Sequence, residues 1–595
     1  MKFLTFAQYL EKLEVTASRL EMTAQLAQLF QELKTEEIPV VCYLMQGKLV
    51  PSYQSLEFNM SEKLTMRALA KLLNHLDQDD SLPSINLFKE QDDSLYLEKI
   101  KKANKDLGDL GLAIEQLLEN TQLLGKDLLI LEVHKILVDI ADEEGEGSQD
   151  RKINKTYELL LNLQPASIKF VVRIIVGKLR LGFSTMTIID ALSWVRHQNK
   201  SDSKKIEAAY QKRADIGQLA QEYLQRSSKT EVKDFFDNYQ VALGIPVMPA
   251  LCQRLNTAHE IVEKMGRVII EPKYDGLRVQ IHINKADKEK PVQIFTRNLD
   301  NVTHMFPEIL EEIDQIQAQN CILDAEAIAY DPKSKKLLTF QETITRKRKH
   351  QVVSQSEKVP LMFYVFDILY LNNEPLIDEP LNNRKKILQN VVEINGIIKL
   401  TEVVETQDPG EIQQYHEQQL EKGLEGAVIK RIDSKYRSGR KGWRWVKIKE
   451  SEGTLGKLSD TLDCVVMGYY RGKGKRSQFG IGAFLVGVLS SQKKLKTIAK
   501  IGTGLTDEEF KYIKKEADKY QVSKKPLQYD VPKDLQPDVW VSPKIVVEIA
   551  ADELTVSPLH SAGRALRFPR LVKFRDDKNW EQATSVKELE SIKIG

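Results

Sequence analysis

Hydrophobic and polar positions change rhythm twice along the chain. Over roughly the first 235 residues, apolar side chains recur at three- and four-residue steps, as in FAQYLEKLEVTASRLEMTAQLAQLFQEL, and this spacing predicts amphipathic helices. A later helical stretch, ASIKFVVRIIVGKLRLGFSTMTIIDALSWVRH, is interrupted by Lys178, Arg180 and Gly182. The segment from Gly244 to Leu251 carries two prolines and changes the texture. Beyond it strands appear: Val279, Ile281 and Ile283 alternate with Gln280 and His282. VQIFT, CILDAEAIAY, LMFYVFDILYL and GAVIK read the same way, with FPEILEEIDQIQAQ as a helix among them.

A third texture begins near Ser451. TLDCVVMGYY, AFLVGVLS, KLKTIAKIG and KIVVEIA are short strand-like runs between glycine-rich turns, which suits a small β-barrel. The expected architecture is multidomain: an all-α N-terminal domain over 1–238, an α+β domain over 239–450 and a C-terminal β-barrel over 451–595.

Composition narrows the class without deciding it. A chain of 595 residues fits about three or four domains. Its 42% hydrophobic and 29% charged residues describe folded cores under a polar surface. No run approaches the ~18 apolar residues of a membrane span, and the opening MKFLTFAQYLEKLE turns charged too soon for a signal peptide. Cys42, Cys252, Cys321 and Cys464 are scattered, with no CxxC pair. Neither a zinc ribbon nor a disulfide framework is expected, and a cytoplasmic location is. The net charge of +2 averages unlike regions and leaves partners open.

The chemistry gathers at Glu271-Pro272-Lys273-Tyr274-Asp275-Gly276-Leu277-Arg278, where one strand ends and another begins. A KxDG string alone is common; the order of the motifs downstream of it gives it weight. Thr296-Arg297-Asn298 closes a strand. Asp324 and Glu326 stand two apart, and so on one strand face. Phe366 lies in YVFDILYLN, Glu425-Gly426 opens the run to Lys430, and Lys447 and Lys449 are again two apart. RALRFPRLVKFRDDK then supplies Arg567, Arg570, Arg575 and Lys578.

A lysine ammonium must lose its proton before it attacks phosphorus, and its ordinary pKa is about 10.4. Nearby cations or a metal lower it, and Arg278, Lys430, Lys447 and Lys449 are available for this. Glu326 and Glu425 are hard oxygen donors of the kind Mg2+ takes. No GxxxxGK[ST] occurs, which disfavours a P-loop ATPase.

This ordered series resembles the motifs of the covalent nucleotidyltransferases. It is most similar to the replicative ATP-dependent DNA ligases of archaea and eukaryotes, over essentially the whole chain. SRLEMTAQLAQLF and IVGKLRLGFS resemble that family's helical DNA-binding domain, FQETITRKRKH its adenylation (nucleotidyltransferase) domain and GYYRGKGKR its OB-fold domain. The resemblance implies ATP and Mg2+ as cofactors and nicked double-stranded DNA as partner, in DNA replication, recombination and repair. Lys273 would be adenylated, AMP would pass to the 5′-phosphate of the nick, and the 3′-hydroxyl would displace it.

The same resemblance implies further roles. Glu271 would accept from the adenine amino group and Phe366 would stack on the ring. Arg278 and Arg297 would contact ribose or phosphate, and Lys430, Lys447 and Lys449 would line the phosphates. Glu326 and Glu425 would hold the metal. Arg575 and Lys578 would cover the β,γ-phosphates after a swing about a hinge near 450. Lys178, Arg180, Arg346, Lys347, Arg471 and Lys473 are candidate DNA-phosphate contacts. Trp443 and Trp445 read as packing beside the lysine strand. A monomer is expected; a sliding clamp enters by family analogy alone. The rival within the superfamily is an RNA ligase or a capping guanylyltransferase, which the large helical region disfavours. A catalytically silent DNA-binding protein is at odds with the full set of lysines and carboxylates. An NAD-dependent ligase would carry a four-cysteine zinc module.

Overall fold

The computed structural model describes residues 1–79, 93–119, 128–334, 336–338, 343, 360–393, 396–448, 461–472, 476, 479–502, 505–551 and 553–591. They form two compact units, Met1–Ile448 and Lys449–Gly595.

The first unit begins with helices. The early periodic run forms Phe3–Val15 and Arg19–Glu32, and it breaks where Ser18 turns its side chain to accept the Glu21 N–H at 3.4 Å. That is an N-cap, which satisfies an amide the new helix cannot. The second stretch also forms two helices, Pro165–Ile175 and Thr185–His197. Lys178, Arg180 and Gly182 occupy the loop between them, where Gly177, Arg180 and Gly182 take φ of 66°, 59° and 75°. The apolar stripes of these helices meet in one core that includes Phe6, Leu10, Leu29, Ile168, Val172 and Ile189. The helical region ends with Lys229–Asn238.

Two sheets follow. The strands are β1 (Gln253–Leu255), β2 (Val268–Pro272), β3 (Leu277–Asn284), β4 (Val292–Thr296), β5 (Asn320–Ala329), β6 (Leu361–Leu371), β7 (Glu374–Pro375), β8 (Ile398–Leu400), β9 (Val404–Thr406), β10 (Ala427–Arg431) and β11 (Trp445–Ile448). One sheet has the order β1-β11-β10-β2-β9; the other runs β4-β3-β5-β6-β7, with β8 beside β6. Val279, Ile281 and Ile283 point into the second sheet's core, as their alternation predicts. The polar face of β3 is covered too. Gln280 exchanges two hydrogen bonds with the peptide groups of Val247, at 2.8 and 3.2 Å, and His282 Nδ1 accepts the Gly244 N–H at 3.1 Å. The proline-bearing segment thus lies on the sheet, and its amides find partners there instead of water.

The second unit contains β12 (Leu462–Tyr470), β13 (Ala483–Leu489), β14 (Leu495–Ile501), β15 (Gln521–Val522), β16 (Tyr529–Asp530), β17 (Val539–Val541), β18 (Val546–Ala550), β19 (Glu553–Val556), β20 (Arg564–Arg567) and β21 (Arg570–Phe574). β12 pairs with β13, β17 and β18, and β18 continues to β21, so the sheet branches and curls. Register shifts beside Gly468, Gly487 and Ile549 accompany the curl, as bulges increase local twist. Cys464, Val466, Phe484, Val486 and Ile498 fill its interior. Among the described residues no helix is long and apolar enough to cross a membrane.

Candidate active site

A cavity of about 660 Å³ opens in the first unit, lined by the β2–β3 turn and by side chains of β4, β5, β6, β10 and β11. Lys273 enters it from the end of β2. Its peptide group is locked to the next strand of the same sheet: the Lys273 N–H donates to Gly426 O at 2.8 Å, and the Glu425 N–H donates to Lys273 O at 3.1 Å. The side chains then pair, Lys273 Nζ with Glu425 Oε2. His416, on the helix Pro409–Glu421, accepts the Ala427 N–H at 3.1 Å through Nδ1 and fixes this turn from behind. Gly426 sits at φ 89° with the His416 ring where a Cβ would be, so no larger residue fits.

The turn after Lys273 is equally confined. A Cβ on Gly276 would lie 2.5 Å from Ala327 O and 3.0 Å from Glu326 Cγ. Tyr274 stacks on Tyr364 of β6 with ring centres 4.3 Å apart. Glu326 lies opposite Arg278 in the β3–β5 register and lines the cavity. Burial pushes its carboxyl up to about 8, against the pull of Arg278 and Lys273.

Asp324 and Glu326 divide their work. Asp324, 1% exposed, takes a bidentate pair from Arg278 at 3.0 and 2.7 Å, and Tyr436 donates to it at 2.8 Å. Arg278 also donates to Ala250 O at 2.5 Å. Its guanidinium, expected to face ribose or phosphate, is therefore held by the protein; it lies 5.2 Å from the Phe366 ring centre and 5.3 Å from that of Trp445. Lys430 Nζ lies 4.5 and 4.2 Å from the same two rings. It is 1% exposed and pairs with Glu271 Oε2 at 2.5 Å, while Lys385 takes the other Glu271 oxygen. Burial lowers the Lys430 ammonium, partly offset by Glu271. Phe366 and Trp445 meet edge-on at 5.9 Å and form an aromatic wall. Lys447 lines the same cavity, its pKa lowered by burial and then by the charge of Lys273. Arg297 reaches the cavity from the end of β4 and is exposed.

The structure thus brings Lys273, Glu271, Arg278, Arg297, Glu326, Phe366, Glu425, Lys430 and Lys447 to one cavity. In the second unit, Arg575 and Lys578 share Asp463, at 3.0 and 2.5 Å, and Arg575 also pairs with Asp577 at 2.7 Å. Lys178 pairs with Glu62 at 3.0 Å, and Arg180 with Asp109 at 3.1 Å. Arg471 is exposed beyond β12. Lys449, Arg346, Lys347 and Lys473 lie outside the described residues, as does the expected hinge near 450.

Sequence reasoning missed Lys385 and His416, which sit on helices without a local signal. Trp445, read from the sequence as packing, lines the cavity; its position two before Lys447 on one strand, which puts both on one face, was the signal available. Among the described residues no three His, Cys, Asp or Glu side chains form a ready metal cage. Mg2+ needs only one or two carboxylates when phosphates complete its shell, and the cavity offers Glu326 and Glu425.

Comparison with known proteins agrees along the chain. Residues 2–193 match the family model described as DNA ligase N terminus, 249–449 the ATP dependent DNA ligase domain, and 477–578 the ATP dependent DNA ligase C terminal region. The chain is 41% identical to a probable DNA ligase of Dictyoglomus turgidum, covering 99% of this chain and 97% of that one. It is 34% identical to DNA ligase 2 of Thermofilum pendens, covering 99% and 96%. The solved structure titled Pmar-Lig_PreS3 shares the fold, with a TM-score of 0.53 at 16% identity over 96% of this chain and 99% of that one.

Proposed function

This chain belongs to the ATP-dependent DNA ligases, which seal nicks through an adenylated intermediate, and we propose that Lys273 is the amine that carries AMP. The observation that carries this reading is the position of Lys273: it stands in the cavity on a doubly bonded strand end, in contact with Glu425.

The chemistry follows from these groups. The ammonium gives up a proton before attack, and Glu425 is the carboxylate in contact with it. The Lys273 nitrogen then forms a bond to the α-phosphorus of ATP as the bond to pyrophosphate breaks. A 5′-phosphate oxygen of the nick next attacks the same phosphorus and releases the lysine nitrogen. Finally the 3′-hydroxyl oxygen bonds to the 5′-phosphorus and AMP leaves. Transfers of this kind depend mostly on positioning and charge neutralisation. Glu326 and Glu425 would hold Mg2+, which supplies neutralisation of the phosphate oxygens. Lys447, with Lys449, is assigned the α-phosphate, and Arg297 ribose or phosphate. The wall of Phe366 and Trp445 takes the adenine ring, and Glu271 its amino group. Arg278, tied to Asp324, acts by its field. Arg575 and Lys578 are assigned the β,γ-phosphates. Lys178, Arg180, Arg346, Lys347, Arg471 and Lys473 are assigned DNA phosphates, where cations grip without reading bases.

Domain limits at 238 and 450 follow the last helix of the helical region, which ends at Asn238, and β11, which ends at Ile448. Four free cysteines support a reducing, cytoplasmic setting. A monomer is our reading of the oligomeric state, and a sliding clamp rests on family analogy.

The decisive experiment is mass spectrometry after exposure to ATP and Mg2+. An AMP adduct mapped to Lys273, and absent from Lys273→Ala, is expected. An adduct elsewhere, or a Lys273→Ala variant that still labels itself and joins nicks, overturns the assignment.

A further inference from the structure

The loop that carries Arg297 is braced from outside its own sheet. Thr296, Arg297, Asn298 and Asp300 all line the cavity, so the shape of this loop is part of the pocket. Inside the loop, Thr296 Oγ1 accepts the N–H groups of Asn298 and Asp300, each at 3.2 Å. Leu299 takes φ 72°, an unfavourable conformation for a side chain with a Cβ, which something must hold. The loop's own peptide groups supply part of the hold, Thr296 N–H donating to Asp300 O and Leu299 N–H to Thr296 O, each at 2.9 Å, and a further contact comes from the helical region. The Ser55 hydroxyl donates to Asn301 O at 3.2 Å and accepts the Asn301 N–H at 3.1 Å, so one side chain satisfies both peptide groups of the residue that closes the loop.

The same turn has a second grip and an anchor. Tyr53 sets its ring edge-on against Phe295 of β4, with centres 6.3 Å apart. Its hydroxyl donates to Asp215 at 2.6 Å. Asp215 is 3% exposed, receives Tyr43 at 2.7 Å, and caps the helix Ile216–Leu224 through the Gln218 N–H at 2.9 Å. Arg297 therefore sits between Phe295 and Asn301, two residues tied to one short turn of the helical region. That turn is itself fastened to a buried carboxylate.

We propose that the turn at Tyr53–Ser55 is a positioning element for Arg297, and that the helical region thereby takes part in loading AMP onto Lys273, a step in which DNA has no role. This rests on the reading of the cavity as the ATP site. Ser55 is a positioning residue: it touches neither nucleotide nor lysine, and it acts through the arginine loop.

The test is the rate of AMP-adduct formation by the full chain, without DNA, as ATP is varied. Ser55→Ala should raise the KM for ATP about three- to tenfold, the range for losing one or two hydrogen bonds, and leave kcat within about twofold. Ser55→Thr keeps the hydroxyl but places a β-branched side chain at φ 52°, so it should restore KM only in part. The thermal unfolding midpoint should fall by no more than about 2 °C, which separates positioning from a general loss of stability. In an Arg297→Ala background Ser55→Ala should add nothing, because the two act in series. An unchanged KM in Ser55→Ala overturns the proposal if Arg297→Ala alone raises it. Effects of the two substitutions that simply multiply also overturn it. If Arg297→Ala itself leaves the KM for ATP unchanged, the assignment of Arg297 to the nucleotide fails instead, and the proposal falls with it.

Discussion

Lys273 and Glu425 are 152 residues apart in the chain, yet they extend neighbouring strands and close an ion pair inside the cavity. The pair joins the proposed nucleophile to one of the two carboxylates offered to the metal. Glu425→Gln keeps the side chain's shape and removes its charge. The Mg2+ concentration needed for half-maximal adenylation should rise on the order of tenfold or more. An unaltered Mg2+ dependence would take Glu425 out of the ligand set.

Trp445 faces Lys430 at 4.2 Å and Arg278 at 5.3 Å, and its ring continues the wall begun by Phe366. Trp445→Leu removes half of that wall, and the ring's contact with a base is worth roughly 0.5–2 kcal/mol. ATP binding should weaken about two- to thirtyfold by calorimetry, with Trp445→Phe milder than Trp445→Leu. Wild-type affinity in Trp445→Leu would return the residue to plain packing.

Arg384 and Asp367 form a bidentate pair at 2.7 and 2.9 Å, with both side chains fully buried. Burial works against the Asp367 carboxylate, but the Arg384 guanidinium outweighs it and holds the acid below its usual range. Asp367→Asn strands a buried cation and should cost about 3–5 kcal/mol, seen as a lower denaturant midpoint for the first unit. The double change Asp367→Leu with Arg384→Met should recover much of the loss. A single-variant cost below about 1 kcal/mol would mean that water reaches the site.

His282 donates through Nε2 to Gln280 at 2.8 Å and accepts the Gly244 N–H through Nδ1, so it is neutral when the proline-bearing segment is docked. Burial pushes its imidazole down to about 3. The unfolded chain therefore binds this proton first, near the ordinary value of about 6.5. The contribution of His282 is full above that pH and is lost as pH falls toward about 3, by at most about 1.4 kcal/mol per unit. His282→Gln should flatten the fall in melting temperature between neutral and mildly acidic pH. A slope as steep as that of the parent would falsify this linkage.

The sequence made some of this legible for simple reasons. Val279, Ile281 and Ile283 alternate because one face of β3 meets a core, and the run from Lys273 to Lys447 keeps its order because each motif lies on or beside a strand that lines the same cavity. The spacing of Asp324 and Glu326 gave a shared face but not their division. That division is made by Tyr436, 112 residues beyond Asp324, which helps bind the first acid to Arg278 and leaves the second to the pocket. Lys385 was invisible for a similar reason: its partner Glu271 lies on a distant strand, and a helix such as Leu381–Val391 gives no sign of which lysine will turn inward. Gln280 and His282 carry no local sign that the proline-bearing segment from Gly244 to Leu251 will cover them.

Gly276 has no room for one further carbon, since Ala327 O would stand 2.5 Å from it and Glu326 Cγ 3.0 Å. The loop that presents the amine and the strand that presents the acid thus touch directly, the glycine lying against the Ala327 carbonyl and the γ-carbons of Ile328 and Glu326. Their separation is gauged by one carbonyl oxygen and two carbons close to the strand, one of them part of the acid itself, so a single added methyl would be read directly as misalignment.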